Sequence, residues 1–316
     1  MPIAGLFGQP SFNSHTISDE ASLAYDVMAI DLDRDGDIDV LSASRVDHKI
    51  AWYENNGSQS FTTHTITESA SGATSVYAID LDRDGDIDVL SASFGDDKIS
   101  WYENNGSQSF TRRTVASSND GNDWTVFAAD IDSDGDIDVL GGQDTGGNKI
   151  YWYENNGSQS FTAREILDTN QGVKDVKAID LDQDGDVDII SAHGSYVAWQ
   201  ENDGSQSFTN HTITSTAEHS DSVFPIDLDQ DGDIDIIGNV STTNKVIWYE
   251  NNGSESFTTY TISSGIYNKA LIIDLDQDGD KDVIASNNSL LKWFNNNGSQ
   301  SFTSNTVGAV AAGGSD

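Results

Sequence analysis

The sequence predicts an all-β chain, a six-bladed β-propeller of four-stranded antiparallel blades. Three observations carry that expectation. An aspartate-rich nonapeptide recurs six times: DLDRDGDID at 31–39 and 80–88, DIDSDGDID at 130–138, DLDQDGDVD at 180–188, DLDQDGDID at 227–235 and DLDQDGDKD at 274–282. Its copies start 49, 50, 50, 47 and 47 residues apart. A second motif keeps step, WYENNGSQSFT verbatim at 52, 101 and 152 and varied at 199, 248 and 293. A fixed period of this size marks a repeat architecture, and four short strands per period match one propeller blade.

Each repeat reads as strand, acidic loop, strand, loop, strand, turn, strand. The first strand is short and β-branched, as in Val76-Tyr77-Ala78-Ile79. Val27, Val76, Val126, Val176 and Val223 share one of its faces, and Ala29, Ala78, Ala128 and Ala178 recur two residues on, where a small side chain lets neighbouring sheets approach. The second strand, Val40-Leu41-Ser42-Ala43, follows the acidic loop directly. The third places Ile50 and Trp52 on one face with strand period two. Asn56-Gly57 then predicts a two-residue type I′ hairpin, and the fourth strand covers 61–66. A calcium-bound parallel β-helix is the competing architecture, but it needs back-to-back nine-residue repeats.

The repeats fall at about 26–66, 76–115, 125–166, 175–213, 223–262 and 269–307 of a single domain over 1–316. Residues 8–17 resemble a seventh fourth strand and compete with 302–307 for the outer edge of the last blade; 308–316 reads as a flexible tail.

Composition narrows the function. The chain has 316 residues, 53 acidic against 15 basic side chains, a net charge of −38 and no cysteine. Thiol catalysis, disulfide frameworks and zinc–cysteine sites are excluded. So acidic a surface repels phosphate backbones and anionic lipid, so neither nucleic acid nor membrane insertion is expected. No apolar run reaches the roughly 18 residues of a membrane span, and MPIAGLFGQP has no signal-peptide pattern.

The nonapeptides themselves point to a cation. Five carboxylates within nine residues repel one another, and 15 basic residues cannot neutralise thirty loop aspartates. The candidate metal residues are Asp31, Asp33, Asp35, Asp37 and Asp39; Asp80, Asp82, Asp84, Asp86 and Asp88; Asp130, Asp132, Asp134, Asp136 and Asp138; Asp180, Asp182, Asp184, Asp186 and Asp188; Asp227, Asp229, Asp231, Asp233 and Asp235; and Asp274, Asp276, Asp278, Asp280 and Asp282. Loop positions 1, 3, 5 and 9 offer side-chain oxygens, position 7 its carbonyl, and glycine at position 6 the bend. Calcium suits such an all-oxygen cage better than magnesium, and about six structural ions are expected. The loop is not an EF-hand, because position 12 holds Ser42, Ser91, Gly141, Ser191, Gly238 and Ala285 rather than glutamate.

The strand–DxDxDGxxD–strand unit followed by the WYENNG turn, over residues 10–307, resembles the FG-GAP/VCBS-type repeats of calcium-binding β-propellers, including those of integrin α-subunits. That resemblance implies structural Ca²⁺ held by positions 1, 3, 5 and 9 and the carbonyl of position 7 in all six loops. Lys281, at position 8 of the sixth loop, departs from the Ile or Val of the other copies.

Other chemistry-bearing residues are repeated, which argues for structure over catalysis. Glu54, Glu103, Glu154, Glu201 and Glu250 recur in the third strand and become Asn295 in the last; each is expected to pair within its own blade. Trp52, Trp101, Trp152, Trp199, Trp248 and Trp293 read as core between blades. His15, His64 and His211 share a repeat position with Arg113, Arg164, Tyr260 and Asn305, which reads as solvent-facing. The copies differ in their connections, at 18–26, 67–75, 116–125, 167–175, 214–222 and 263–269 and at 45–48, 94–97, 143–148, 193–196, 241–244 and 287–290. Tyr25, Arg45, Trp124, Lys174, Lys177, His219 and Tyr267 are unrepeated aromatics and bases in or beside them.

The expectation is therefore a monomeric, extracellular or secreted, calcium-stabilised binding module for carbohydrate or an extracellular protein. Millimolar calcium outside cells suits such cages. The alternatives are a polysaccharide-active lyase or hydrolase, or its accessory domain, and a repeat scaffold with no ligand of its own. A binding role is favoured over catalysis, since no nucleophile or acid–base pair stands out from the repeats.

Overall fold

The computed structural model describes residues 12–117, 121–215, 220–240, 243–265, 267, 269–286 and 290–309. These residues form strands and connections, with no helix. Blade one is β1 (Ala24–Ile30), β2 (Asp39–Ser44), β3 (Lys49–Asn55) and β4 (Phe61–Thr67). Blade two is β5 (Ala73–Ile79), β6 (Asp88–Ser93), β7 (Lys98–Asn104) and β8 (Phe110–Ser117). Blade three is β9 (Asp123–Ala129), β10 (Asp138–Gln143), β11 (Lys149–Asn155) and β12 (Phe161–Asp168). Blade four is β13 (Val173–Ile179), β14 (Asp188–His193), β15 (Val197–Asn202) and β16 (Phe208–Thr214). Blade five is β17 (Ser220–Ile226), β18 (Asp235–Val240), β19 (Lys245–Asn251) and β20 (Phe257–Ser264). Blade six is β21 (Lys269–Ile273), β22 (Asp282–Ser286), β23 (Leu290–Asn296) and β24 (Phe302–Ala309).

In every blade the four strands pair antiparallel in chain order. The predicted class, a six-bladed β-propeller of four-stranded blades, is the fold found. Two compact units divide the blades, one holding β1–β16 and the other β17–β24.

Packing between blades follows from the third strand. Trp52, Trp101, Trp152, Trp199, Trp248 and Trp293 are all buried, as expected for core between blades. In the first unit, Leu41 and Trp52 of blade one share a core with Val76 and Ala78 of blade two. Leu90 and Trp101 meet Val126 and Ala128 of blade three, and Leu140 and Trp152 meet Val173 and Val176 of blade four. In the second unit, Ile237 and Trp248 meet Ala270 and Val283. Each third strand is thus covered on both faces: Ala51 and Tyr53 are as buried as Ile50 and Trp52, so the strand does not alternate between core and solvent. Val27 departs from its copies at 63% exposed.

Three local expectations are corrected. The Asn56-Gly57 turn is a five-residue loop between paired Asn55 and Phe61, closed by the Asn56 amide donating to the Ser60 carbonyl at 3.2 Å. The Asn56 side-chain oxygen takes the Ser58 and Ser60 amides, and positive φ falls on Gly57 and Gln59 rather than on Asn56. Residues 12–17 form no strand, residues 8–11 lie outside the described residues, and β24 is the outer strand of blade six. The last strand also runs past the expected tail boundary: Gly308 pairs with Leu291 and Ala309 with Leu290, while 310–316 lie outside the described residues.

Candidate metal centres and ligand surfaces

Each acidic loop joins the first and second strands of its blade, and its carboxylates have distinct tasks. At position 1, one oxygen of Asp31, Asp80, Asp130, Asp180, Asp227 and Asp274 accepts the amide of the loop glycine at 3.0–3.2 Å. The position-5 carboxylate accepts the amide of position 7 in all six loops at 2.8–3.0 Å. Position 9 is the anchor. Asp39 takes the Leu32 amide on one oxygen at 3.0 Å and the Asn55 amide on the other at 2.8 Å, tying the loop to the end of the third strand. Asp88, Asp138, Asp188, Asp235 and Asp282 repeat both bonds and are likewise fully or almost fully buried.

Position 7 does something else. The Asp37 carboxylate lies against Gly57, where an added Cβ would come within 2.5 Å of Oδ2, and Asp86, Asp136, Asp186, Asp233 and Asp280 stand the same way against their turn glycines. The position-7 carboxylate is therefore packed against the turn. The turn also holds the loop directly: the Asn55 amide group donates to the Ile38 carbonyl at 3.1 Å. In the sixth loop Asn296 does the same to the Lys281 carbonyl at 3.1 Å, so the departure at position 8 leaves the backbone bond intact.

The donor set fits a hard cation. The second oxygen of the position-1 aspartate is buried without a hydrogen-bond partner in every loop, at Asp31, Asp80, Asp130, Asp180, Asp227 and Asp274. Donor oxygens of Asp31, Asp33 and Asp39 lie within 4.8 Å of one another, as do those of Asp80, Asp82 and Asp84, of Asp130, Asp132 and Asp138, of Asp180, Asp182 and Asp188, and of Asp227, Asp229 and Asp231. A buried carboxylate oxygen left unpartnered is costly, and a cation facing it and the carboxylate oxygens beside it removes that cost. Electrostatics agree. Burial pushes Asp88 and Asp235 up to about 7 and Asp138 and Asp188 up to about 6, against lowering by backbone amides. At position 3, burial raises Asp33, Asp82, Asp132, Asp229 and Asp276, with neighbouring carboxylates adding to it.

The strand-three glutamates pair locally, as their repetition suggested. Glu54 meets His64 and Glu201 meets His211 at 2.7 Å, and Glu103 and Glu154 pair with Arg113 and Arg164 at 2.6 Å. The same cations or rings lie over the buried tryptophans: His64 stacks on Trp52 at 4.5 Å, and Arg113 sits 5.2 Å over Trp101. The His/Arg/Tyr position is thus half-exposed yet tied to the core.

Side chains from neighbouring blades converge beside the loops. Gln206 of blade four donates to Asp132 of blade three at 3.1 Å. Gln300 of blade six donates to Asp229 at 3.2 Å and Glu250 at 3.3 Å, both in blade five. A narrow cleft of about 10 Å³ lies at this second junction, with Asp229, Gln300, Trp248 and Phe302 in its walls. Six non-glycine residues at loop position 4, Arg34, Arg83, Ser133, Gln183, Gln230 and Gln277, hold φ of 58–63°. Sequence reasoning missed them; the invariant bonding of the loop imposes the conformation, and no residue type signals it.

Of the unrepeated residues, Tyr25, Arg45, Trp124 and Lys174 come together, joined by Phe94. Lys177 pairs with Asp175 at 2.6 Å, Tyr267 is core against Phe294, and His219 lies outside the described residues. Phe94 had a signal: residues 29–44 and 78–93 are verbatim copies, and the copy ends where Arg45 becomes Phe94.

The sequence pattern of the FG-GAP-like repeat matches residues 31–91, 80–141, 130–191 and 189–238. No curated protein matches the chain by sequence. Among solved structures, the chain is similar to an Agrocybe aegerita lectin that recognises non-reducing terminal N-acetylglucosamine, with 19% identity, a TM-score of 0.64, and 91% of this chain and 81% of that one covered. It is also similar to BBS1N in complex with ARL6DN, with 11% identity, a TM-score of 0.62, and 88% and 82% covered. At these identities the likeness is one of fold.

Proposed function

The chain belongs to the FG-GAP-like repeat family, and on that premise we propose that it is a calcium-stabilised, glycan-binding propeller acting outside the cell. Calcium occupies the six aspartate loops and is structural. Asp31, Asp33, Asp35 and Asp39 with the Asp37 carbonyl, and their counterparts in the other loops, hold it. Six divalent ions would take the charge from −38 to −26. The ion supplies the counter-charge that lets the first and second strands of each blade run side by side.

The observation that carries the glycan reading is the blade junction. The amide of Gln300 bridges the carboxylates of Asp229 and Glu250 at the mouth of a narrow cleft whose floor is the buried Trp248 and whose wall includes the partly exposed Phe302. Acceptors and donors grouped beside apolar rings are the usual lining of a small-ligand site, and the same groups suit sugar hydroxyls. Similarity to a lectin supports this reading. Because the loop–turn unit is repeated, more than one junction is available, and linked sites raise avidity without new contacts.

The test is a glycan array probed with the calcium-loaded chain, alone and in chelator, alongside Gln300→Ala. Retention on neutral glycans that falls in chelator and weakens in the variant is expected. A blank array from folded protein overturns the glycan reading and turns the search to protein partners.

A further inference from the structure

The second strand-end surface of the first unit has a different chemistry. Six residues before each acidic loop stand Tyr25, Thr74, Trp124 and Lys174 in blades one to four. Each is the extra residue of a β-bulge: pairing steps from Ala24↔Ser44 to Asp26↔Ala43 across Tyr25, and the same step skips Thr74, Trp124 and Lys174. Bulges re-aim a side chain out of the ladder and are frequent beside functional sites. Six residues after the loops stand Arg45, Phe94 and Asp144 in blades one to three. Around these two positions the scaffold is copied, in one case verbatim over sixteen residues, yet the positions themselves carry unrelated side chains.

Those side chains meet. The Arg45 guanidinium lies 5.1 Å from the Phe94 ring centre, 5.4 Å from Trp124 and 5.6 Å from Tyr25. Trp124 stands edge-on to Tyr25 at 5.3 Å and to Phe94 at 5.5 Å. The Lys174 ammonium sits 4.6 Å over Trp124 and pairs with Asp144 at 2.6 Å. Among the described residues Arg45 makes no ion pair and no side-chain hydrogen bond, in a chain with 53 acidic residues. Tyr25, Arg45, Phe94, Trp124 and Lys174 are each partly exposed, and Asp144, paired with Lys174, is buried.

We infer that this cluster is a second ligand site, which takes a sugar carrying a single carboxylate, such as a terminal uronic acid. Aromatic rings hold a guanidinium by its faces and leave its N–H edge for a planar carboxylate, which it binds by two parallel bonds. Lys174 is balanced by Asp144, so the cluster is left with one positive charge, enough for one carboxylate. The acidic chain around it disfavours phosphate and polyanions. The identity of the ligand as a sugar rests on the glycan reading above; its carboxylate rests on Arg45.

The experiment uses the calcium-loaded full chain with two probes: a disaccharide ending in glucuronic acid and the same disaccharide ending in glucose. Binding is read by calorimetry and by tryptophan fluorescence, for which Trp124 is the seventh tryptophan, outside the six buried copies. The uronate is expected to bind at least about tenfold tighter, the scale of a charge-assisted bidentate contact. Arg45→Gln brings the two probes level, and Trp124→Phe removes the fluorescence change. Equal binding of the probes, no binding of either, or a preference surviving in Arg45→Gln overturns the inference. Retention on neutral glycans and its loss in Gln300→Ala, measured in the same series, report on the junction separately, so each reading fails on its own.

Discussion

The two ends of the first strand obey opposite rules. At one end, six acidic loops repeat the same hydrogen bonds to within a few tenths of an ångström, down to the position-9 carboxylate bridging two backbone amides. At the other, the bulge position holds Tyr25, Thr74, Trp124 and Lys174 in successive blades. Uniformity belongs where one set of backbone hydrogen bonds fixes every carboxylate. Variety belongs where side chains from several blades share one surface and only their sum matters. The same strand serves as scaffold at one end and as a presenting element at the other.

The sharpest way to break this division is to damage the scaffold and look for lost stability alone. Trp101→Ala empties a site buried against Val126 and Ala128 of the next blade. A loss of about 3–5 kcal/mol is expected in calcium-saturated urea unfolding; a loss below about 1 kcal/mol would mean that the blades do not depend on that contact.

Asp123 lies between the two rules, buried next to Trp124. Burial pushes its carboxyl up to about 6, opposed by the Gln143 amide and reinforced by Asp97 and Asp96. The folded chain therefore holds this proton more tightly than the unfolded chain. The group's contribution to stability is full below the unfolded value near 3.8 and is lost as pH rises through about 6, by up to about 3 kcal/mol. Asp123→Asn is expected to melt higher than the parent at pH 7.5 and to match it at pH 4. The reverse order would show that the charged form is stabilised by something facing it.

A smaller effect is expected at the turn. Gly57 has φ of 74°, and a Cβ there would press on the Asp37 carboxylate at 2.5 Å. Gly57→Ala should cost about 1–2 kcal/mol through backbone strain and displacement of Asp37, read as a shift in the unfolding midpoint. The smallest change belongs to the divergent end. Arg45→Gln loses only cation–π contacts and should cost less than about 1 kcal/mol; a larger loss would make Arg45 part of the scaffold.

Much of this was legible in the sequence. The nonapeptide and the turn motif, each recurring about every 48 residues, reveal the blades, because a repeated backbone needs repeated residues. The tryptophan core followed from a large aromatic recurring at one position of every repeat. The turn was misread because Asn-Gly favours a type I′ hairpin, whereas Asn56 spends its side chain on the amides of Ser58 and Ser60 and so closes a longer loop. Val27 matches its copies in sequence yet stands exposed where they are buried, which no local pattern records. The Arg45 cluster was half visible: its residues stood out as unrepeated, but their meeting depends on how bulges in blades one, three and four aim them. In the acidic loops the sequence assigned side-chain oxygens to positions 1, 3, 5 and 9 and a backbone carbonyl to position 7. What it did not show is where the position-7 carboxylate goes, which only the turn glycine beside it reveals.

The central claim is that the repeated end is built around cations. Calcium titrated into the decalcified full chain, followed by calorimetry and by thermal melting, tests it most directly. Binding of about six ions per chain, with a melting temperature that rises steeply as the loops fill and collapses again in chelator, is the expected result. No binding heat, or a melting temperature indifferent to calcium and chelator alike, would contradict it.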